Sequence, residues 1–143
     1  MTNDQTVLAF DFGLARVGVA VGQSITGTAT ALTTLHASGA ALDSAIDTLV
    51  RQWRPSRLLV GLPHNDSSSA SSIRKQLLAF ADGLARHAIP VDLVDESFSS
   101  REAEARLKAR RQAGARRSRP GDIDAEAARI IAEQWLQDAS PAT

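Results

Sequence analysis

The chain has 143 residues, of which 43% are apolar, 4% aromatic and 22% charged, and its formal net charge is zero. This length and composition predict one globular domain over residues 1–143 and argue against a disordered segment. The absence of cysteine excludes disulfides, thiolate metal sites and cysteine nucleophiles. No apolar stretch is long enough to span a membrane, so a cytoplasmic location and no membrane partner are expected.

Three strands are predicted at the start of the chain, over residues 7–12, 16–21 and 29–34. Gly13 and Gly18 are expected to allow a tight reversal between the first two strands. Strands joined by short connections pair antiparallel, so this part of the chain is predicted to form a meander.

A helix is predicted over residues 40–53, because apolar residues recur there at helical spacing. Its predicted core face consists of Ala41, Leu42, Ala45, Ile46, Leu49, Val50 and Trp53. Pro55 ends the helix, and the apolar run 57–62 that follows predicts a short buried strand. A helix between two strands implies that the new strand runs parallel to an earlier one.

The second half of the chain predicts three further helices and one strand, and the second of these helices is expected to begin at Ser99, which forms a capping-box pattern with Glu102. The serine-rich segment 64–72 is expected to form a loop and cap before a helix over residues 72–87. The inner face of that helix is predicted to carry Ile73, Leu77, Phe80, Ala81 and Leu84. A fifth strand is predicted over residues 91–94, and a last helix over residues 124–137.

Asp11 places a carboxylate at the end of an otherwise apolar strand. An isolated buried charge is unfavourable, so a partner is expected for it. The sequence leaves three kinds of partner open: a bound metal ion, a basic side chain such as Arg16, or the amide groups of a turn.

Glu96 and Asp124 are two further candidate site residues. Sites in open α/β sheets form beyond the carboxyl ends of the strands, and both Asp11 and Glu96 are predicted at such ends. Asp124 stands at helical spacing from apolar residues of the last helix, so its side chain is expected to point toward the core. Those apolar residues are Ala128, Ile131 and Trp135.

Asp122 belongs to a different face of the same helix. It shares helical spacing with Glu126 and Arg129, which makes this face of the helix polar. Asp122 is therefore expected to act as a solvated cap and not as a site residue.

Asp11, Glu96 and Asp124 together would offer only oxygen ligands. Hard oxygen ligands suit Mg²⁺ or Mn²⁺ and make zinc an unfavourable choice. Two such ions can activate a water and stabilise the leaving oxygen in phosphodiester cleavage. The hypothesis from the residues alone is therefore a two-metal site in which Asp11 bridges the ions.

Basic charge is concentrated in residues 101–119, which hold eight basic and two acidic residues. This density is typical of a phosphate-contacting element, although it also fits a solvated helix face. No aromatic residue is interleaved for base stacking, so contact with the nucleic-acid backbone is expected over base reading. The candidate contacts are Arg101, Lys108, Arg110, Arg111, Arg116 and Arg117.

Four motifs, in this order along the chain, resemble a known family. They are Asp11-Phe12-Gly13 with Arg16-Val17-Gly18-Val19-Ala20, Val60-Gly61-Leu62-Pro63 with Asn65, Asp95-Glu96 with Ser99, Ser100, Glu102 and Ala103, and Ile123-Asp124-Ala125-Glu126-Ala127-Ala128. Together they resemble the YqgF family of RNase H-like nucleases over nearly the whole chain.

The resemblance implies an α/β fold of the RNase H-like type, with a five-stranded mixed sheet flanked by helices. It implies processing of pre-16S ribosomal RNA or Holliday-junction-resolvase-like cleavage, and possible contact with ribosomal particles. It also assigns the family's acidic triad to Asp11, Glu96 and Asp124, the same three residues. Asn65 and Arg16, which belong to the matching motifs, are candidates for contact with the nucleic acid.

The sequence departs from the family pattern at two places. Ser97 stands where an arginine usually follows the Asp-Glu pair, and Ser67-Ser68 replaces the usual Asp-Gly. A lost guanidinium removes a bidentate phosphate contact, for which Arg101 or Arg16 is a candidate replacement.

The sequence is compatible with four functions. The leading hypothesis is a metal-dependent nuclease that acts on structured RNA in ribosome biogenesis, and the second is a nuclease that cleaves branched DNA. A non-catalytic RNA-binding or ribosome-binding factor on the same fold is the third. An actin-like ATPase is the fourth, and the length argues against it because such proteins need two related subdomains.

Overall fold

The computed structural model describes residues 5–13, 16–36, 38–62, 68–95 and 122–139. The first three strands are β1 (Thr6–Phe12), β2 (Val17–Gln23) and β3 (Thr28–Leu35). β1 pairs antiparallel with β2, and β2 pairs antiparallel with β3. The predicted meander is therefore confirmed, with each strand within two residues of its expected bounds.

Two further strands extend the sheet on the other side of β1. β4 (Arg57–Leu62) pairs parallel with β1, and β5 (Val91–Asp95) pairs parallel with β4. The strand order is β3-β2-β1-β4-β5. The five-stranded mixed sheet is thus the one that the sequence and the resemblance predict.

In the described part of the chain three helices accompany the sheet: α1 (Gly39–Trp53), α2 (Ser68–Leu84) and α3 (Asp122–Ala139). The helix predicted to begin at Ser99 lies outside the described residues. A 3₁₀ turn over Ala85–His87 continues α2. The prediction for α2 was wrong at its start, because the helix begins four residues earlier, within the serine-rich segment. Serine is a weak but tolerated helix former, so an apolar face further along can extend a helix through it.

The side chains of β1 alternate between the two faces of the sheet, and each face has its own core. Leu8 and Phe10 are fully buried in the larger cluster, which includes Ile46 of α1 and Leu77 of α2. The opposite face carries a second cluster, formed by Val7, Ala9, Leu59, Ile131 and Ala132. The helices α1 and α2 therefore cover one face, and α3 covers the other.

The core face of α1 is narrower than predicted. Leu42 and Ile46 are buried, and Leu49, Val50 and Trp53 pack against them. Ala41 is exposed, so its assignment to the core was wrong. A helix on a sheet buries a stripe about 100° wide, and a residue at the border of that stripe faces solvent.

In the part of the chain that the structure describes, no helix is long and apolar enough to cross a membrane.

We expect Ala88→Gly to stabilise the protein. Ala88 follows the 3₁₀ turn in a left-handed conformation, with φ 58° and ψ 30°, and its N–H donates to the Ala85 carbonyl at 3.0 Å. A Cβ atom is unfavourable there, so glycine should add about 0.5–1 kcal/mol to the free energy of unfolding, measured by urea denaturation. The control is Ala79→Gly, at an exposed helical position of α2, which should lower the same quantity by about 1 kcal/mol. A change of the same sign in the free energy of unfolding of both variants would contradict the prediction.

His87 should make the protein less stable in mild acid. Burial lowers the pKa of His87 and the nearby Arg86 lowers it further, whereas Asp47 and Asp43 only partly oppose this. Between the folded pKa and the ordinary value of 6.5, the unfolded chain binds the proton more readily than the folded protein does. Stability due to His87 is therefore present above pH 6.5 and is lost as the pH falls through the folded pKa.

The measurement is urea unfolding at pH 7.5 and at about pH 5.5. His87→Gln should reduce the stability difference between the two pH values, whereas His36→Gln, at an exposed position outside this cluster, should leave it unchanged. An unaltered difference in His87→Gln would contradict the assignment.

Candidate active site

The carboxyl ends of three parallel strands meet at one edge of the sheet. Phe10 of β1 is level with Val60 of β4, and Leu62 of β4 is level with Asp95 of β5. Asp11 follows Phe10, and Glu96 follows Asp95 in the sequence. Loops that leave such an edge form the usual site of an open α/β sheet.

Asp11 belongs to the α3 side of the sheet. Side chains alternate along a strand, and the residues two and four positions before Asp11 are Ala9 and Val7, which pack against Ile131 and Ala132 of α3. The next residue, Phe12, lies on the other side, where its ring centroid is 4.9 Å from that of Phe80. The half-buried Asp11 carboxylate is therefore directed to the face that α3 covers.

Gly18 brings the start of α3 onto this edge. Gly18 is the register partner of Asp11 in the β1–β2 pair. A Cβ atom on Gly18 would overlap the carbonyl group of Asp124 and lie 2.8 Å from the amide nitrogen of Ala125. The backbone of α3 therefore rests directly on the strand residue that pairs with Asp11, which places Asp11 and Asp124 beside the same glycine.

The predicted role of Gly18 in a tight reversal was wrong. Gly18 lies inside β2, and the hairpin is closed by a hydrogen bond from the Gly13 N–H to the Arg16 carbonyl, at 2.9 Å. The requirement for glycine at position 18 is the close approach of α3. A glycine inside an apolar strand is the sequence signal for such an approach.

Asp124 is paired with Arg16. The Asp124 Oδ2 atom is buried and lies 2.9 Å from Arg16 Nε, but no hydrogen bond of good geometry reaches it among the described residues. Arg16 was one of the partners predicted for Asp11. In the structure its guanidinium is paired with Asp124. Apolar Ala128 and Ile131 of the same helix are fully buried, as predicted.

All of the other predicted site residues lie outside the described residues. These are Glu96, Asn65, Arg101, Lys108, Arg110, Arg111, Arg116 and Arg117. Two of the three predicted carboxylates, Asp11 and Asp124, and the candidate contact Arg16 are therefore the site residues whose placement is given.

The described carboxylates fit the predicted cation. Both are hard oxygen donors, and the buried Asp124 Oδ2 is left with a Coulombic partner in place of a well-formed hydrogen bond. Among the described residues, no three or more histidine, aspartate and glutamate side chains form a group that could hold a metal ion. The described residues therefore include two of the three predicted carboxylate ligands.

The polar face of α3 is covered at Glu126, whereas the side chain of Asp122, the predicted solvated cap, lies outside the described residues. Glu126 is only 7% exposed and is paired with Arg129, whose Nε donates to Glu126 Oε1 at 2.6 Å. Arg129 Nη1 also donates to Glu133 at 2.7 Å. Burial lowers the pKa of Arg129, but the two carboxylates outweigh it and raise this pKa. Mutual pairing at i, i+3 and i, i+4 is what allows these charges to be buried.

A second polar cluster, which the sequence analysis missed, fastens the other end of α3 to the sheet. Trp135 Nε1 donates to Asp92 Oδ2 at 3.0 Å, and Arg57 Nη1 donates to both oxygens of the same carboxylate at 3.0 and 3.1 Å. The Arg57 guanidinium also lies 5.6 Å from the centroid of the Trp135 ring. This cluster joins the C-terminal half of α3 to β4 and β5, whereas the contact with Gly18 sets the position of the N-terminal end, where Asp124 lies.

Comparison with known proteins identifies the family. The family model for RuvX, described as Holliday junction resolvase, matches residues 5–138. The chain belongs to this family. The resemblance to the YqgF family, drawn from the four motifs, is thereby confirmed.

Curated relatives of this RuvX family member cover almost its whole length. A protein of Xylella fastidiosa (strain M23), named "Putative pre-16S rRNA nuclease", is 44% identical over 98% of this chain and 92% of its own. A protein of Burkholderia cenocepacia (strain HI2424) with the same name is 40% identical over 96% of this chain and 92% of its own.

A solved structure supports the fold. The Thermus thermophilus RuvC in complex with a Holliday junction substrate matches with a TM-score of 0.61 over 94% of this chain and 96% of its own, at 15% identity. At this low identity the match is evidence for the fold alone, and it confirms the RNase H-like architecture.

Proposed function

We propose that this RuvX family member is a metal-dependent endonuclease that cleaves phosphodiester bonds in structured RNA, with precursor 16S ribosomal RNA as its substrate. Hydrolytic nuclease activity follows from membership of the family, and the RNA substrate is the one named for relatives at 40–44% identity. The structural observation that carries the proposal is the contact of the Asp124 backbone with Gly18, the register partner of Asp11.

Asp11, Glu96 and Asp124 are the proposed catalytic residues and the proposed ligands of Mg²⁺ or Mn²⁺. When bound, such ions lower the pKa of water, orient the nucleophile and stabilise the leaving oxygen of a phosphodiester. The protein would supply ligands on a fixed backbone: Asp11 pairs with Gly18 in the β1–β2 register, and Asp124 is held by the close approach of α3 to the same glycine. Rigid placement contributes to rate because no reorganisation is then needed during the reaction.

Basic residues would hold the nucleic-acid backbone beside these carboxylates. Arg16 lies at the site, and the remaining proposed contacts are Asn65, Arg101, Lys108, Arg110, Arg111, Arg116 and Arg117. Arginine suits this task because its guanidinium binds phosphate oxygens in a bidentate manner. We further propose that the chain acts as a single domain in the cytoplasm, where it would meet ribosomal particles that carry the precursor.

Cleavage of branched DNA is the second candidate function. It is favoured by the description of the family, Holliday junction resolvase. The same carboxylates and cations would serve either substrate, because both present phosphodiesters to the site.

A side-by-side cleavage assay tests the proposal. The purified full chain is incubated with a precursor 16S RNA fragment that spans the mature 5′ end, and with a four-way DNA junction, in Mg²⁺, Mn²⁺ or EDTA. Metal-dependent cleavage of the RNA supports the proposal, and cleavage of the junction alone supports the second candidate. Binding of RNA with no cleavage in any metal would instead make the protein a non-catalytic RNA-binding factor.

A further inference from the structure

An ion pair connects the β1–β2 hairpin to the first turn of α3. Arg16 Nε lies 2.9 Å from Asp124 Oδ2, and the two side chains are 43% and 21% exposed. The pair therefore joins a residue open to solvent with one that is mostly covered. It lies at the proposed metal site, because Asp124 is one of the three proposed ligands.

The backbones of both residues are fixed. The Arg16 carbonyl accepts a hydrogen bond from the Gly13 N–H at 2.9 Å, and the Asp124 backbone rests on Gly18. The arginine side chain, with its several rotatable bonds, can change position without a shift of either backbone. The contact can therefore be made and broken locally.

We propose that Arg16 is the internal counter-ion of the metal-free site and a positioning residue for the substrate. Its guanidinium neutralises Asp124 until a divalent cation binds there, and it is then released to a backbone phosphate of the nucleic acid. This inference rests on the proposed function, because it takes Asp124 to be a metal ligand.

The first half of the exchange follows from charge. A buried carboxylate oxygen without a partner is unfavourable, and Arg16 offsets this cost in the metal-free protein. Arg16 Nε lies 2.9 Å from Asp124 Oδ2. A cation bound to the same oxygen would therefore lie close to the guanidinium, and the two positive charges would repel each other. Arg16 and the cation therefore compete for Asp124.

The second half follows from the exposure and chemistry of Arg16. Nearly half of its side chain is already open to solvent, and its contact with Asp124 lacks the alignment of a good hydrogen bond. A guanidinium released from a carboxylate keeps all its donors, and a backbone phosphate of a bound substrate is an anion that it can bind in a bidentate manner. Metal binding should thus add one phosphate contact to the protein.

Metal binding tests the competition. Mn²⁺ alone is titrated into the full chain, with free Mn²⁺ followed by electron paramagnetic resonance, for wild type, Arg16→Gln, Arg16→Lys and Asp124→Asn. Arg16→Gln should bind Mn²⁺ about 3–10-fold more tightly than wild type, because a competing charge is removed, and Arg16→Lys should stay close to wild type. The control Arg51→Gln removes an exposed arginine of α1, on the other face of the sheet, and should change nothing.

Salt dependence of RNA binding tests the release. With a short RNA duplex that remains uncleaved, the slope of log K against log salt should be smaller in Arg16→Gln than in wild type by about 0.9 in Ca²⁺. In EDTA the two slopes should be equal, because Arg16 is then held by Asp124. A purely structural arginine would not give a metal-dependent difference.

The outcomes separate this inference from the proposed function. If wild type and Asp124→Asn bind Mn²⁺ equally, the metal site of the proposed function is wrong. If binding depends on Asp124 but Arg16→Gln fails to tighten it, or if the slopes differ equally in Ca²⁺ and EDTA, the counter-ion role alone is overturned. Absence of Mn²⁺ binding by both wild type and Arg16→Gln would overturn both.

Discussion

Asp11→Asn is expected to abolish cleavage while the fold is retained. The asparagine side chain has the same shape, but it lacks the negative charge that Asp11 would contribute to cation binding at the end of β1. Metal ions contribute several kcal/mol to transition-state stabilisation in such sites, and each 1.4 kcal/mol corresponds to tenfold in rate. We therefore expect a loss of roughly 10³-fold in the single-turnover cleavage rate in Mg²⁺.

The matched control for this variant is Asp92→Asn. Asp92 also lies on the α3 face of the sheet, but it is bonded to Trp135 and Arg57 within the structural cluster. This change should lower stability and leave the cleavage rate of the folded protein within a few-fold of wild type. Cleavage by Asp11→Asn at a near-normal rate, with a normal circular dichroism spectrum, would remove Asp11 from the proposed catalytic residues.

The sheet could be predicted from the sequence because its signals are local. The continuous apolar runs of β1 and β2 predict two strands joined by a short connection, and the helix α1 before β4 predicts that β4 runs parallel to an earlier strand. The start of α2 could not be predicted in this way, because serines favour loops and caps locally and the packing of the helix overrides that preference.

The site was predictable in part for a similar reason. The placement of Asp11 at a strand end follows from the strand itself, and the inward direction of Asp124 follows from its spacing to Ile131. The pairing of Arg16 with Asp124 is a tertiary contact, and nothing in the spacing of these two residues chooses it over a contact with Asp11.

The burial of Glu126 shows a limit of helical spacing as a guide. Spacing assigns Glu126 and Arg129 to one polar face, but it does not say whether solvent or protein covers that face. Charges are buried when they are paired, and the pairing of Glu126 and Glu133 with Arg129 makes burial tolerable here.

Gly18→Ala is expected to have the largest effect on stability of any small substitution along β2. The new Cβ would overlap the carbonyl group of Asp124, and these are backbone atoms that cannot rotate away. Either α3 or β2 must move, so we expect a loss of about 3 kcal/mol or more in the free energy of unfolding, measured by urea denaturation. Cleavage should also fall in the fraction that remains folded, because any displacement of α3 separates Asp124 from Asp11.

Two alanine variants at other glycines provide graded controls for this prediction. At Gly22, on the same face of β2, the nearest atoms are the side-chain ends of Leu136 and Val7 at 3.1 Å, which can shift, so Gly22→Ala should cost clearly less than Gly18→Ala. At Gly83 of α2 the nearest atom is 3.9 Å away, and alanine should stabilise the helix by about 0.5–1 kcal/mol. If Gly18→Ala and Gly22→Ala were equally stable and equally active, the close seat of α3 on Gly18 would not be what positions Asp124. We therefore expect activity to be lost in Gly18→Ala, where the new methyl group overlaps backbone atoms, and to be largely kept in Gly22→Ala, where it meets only side chains.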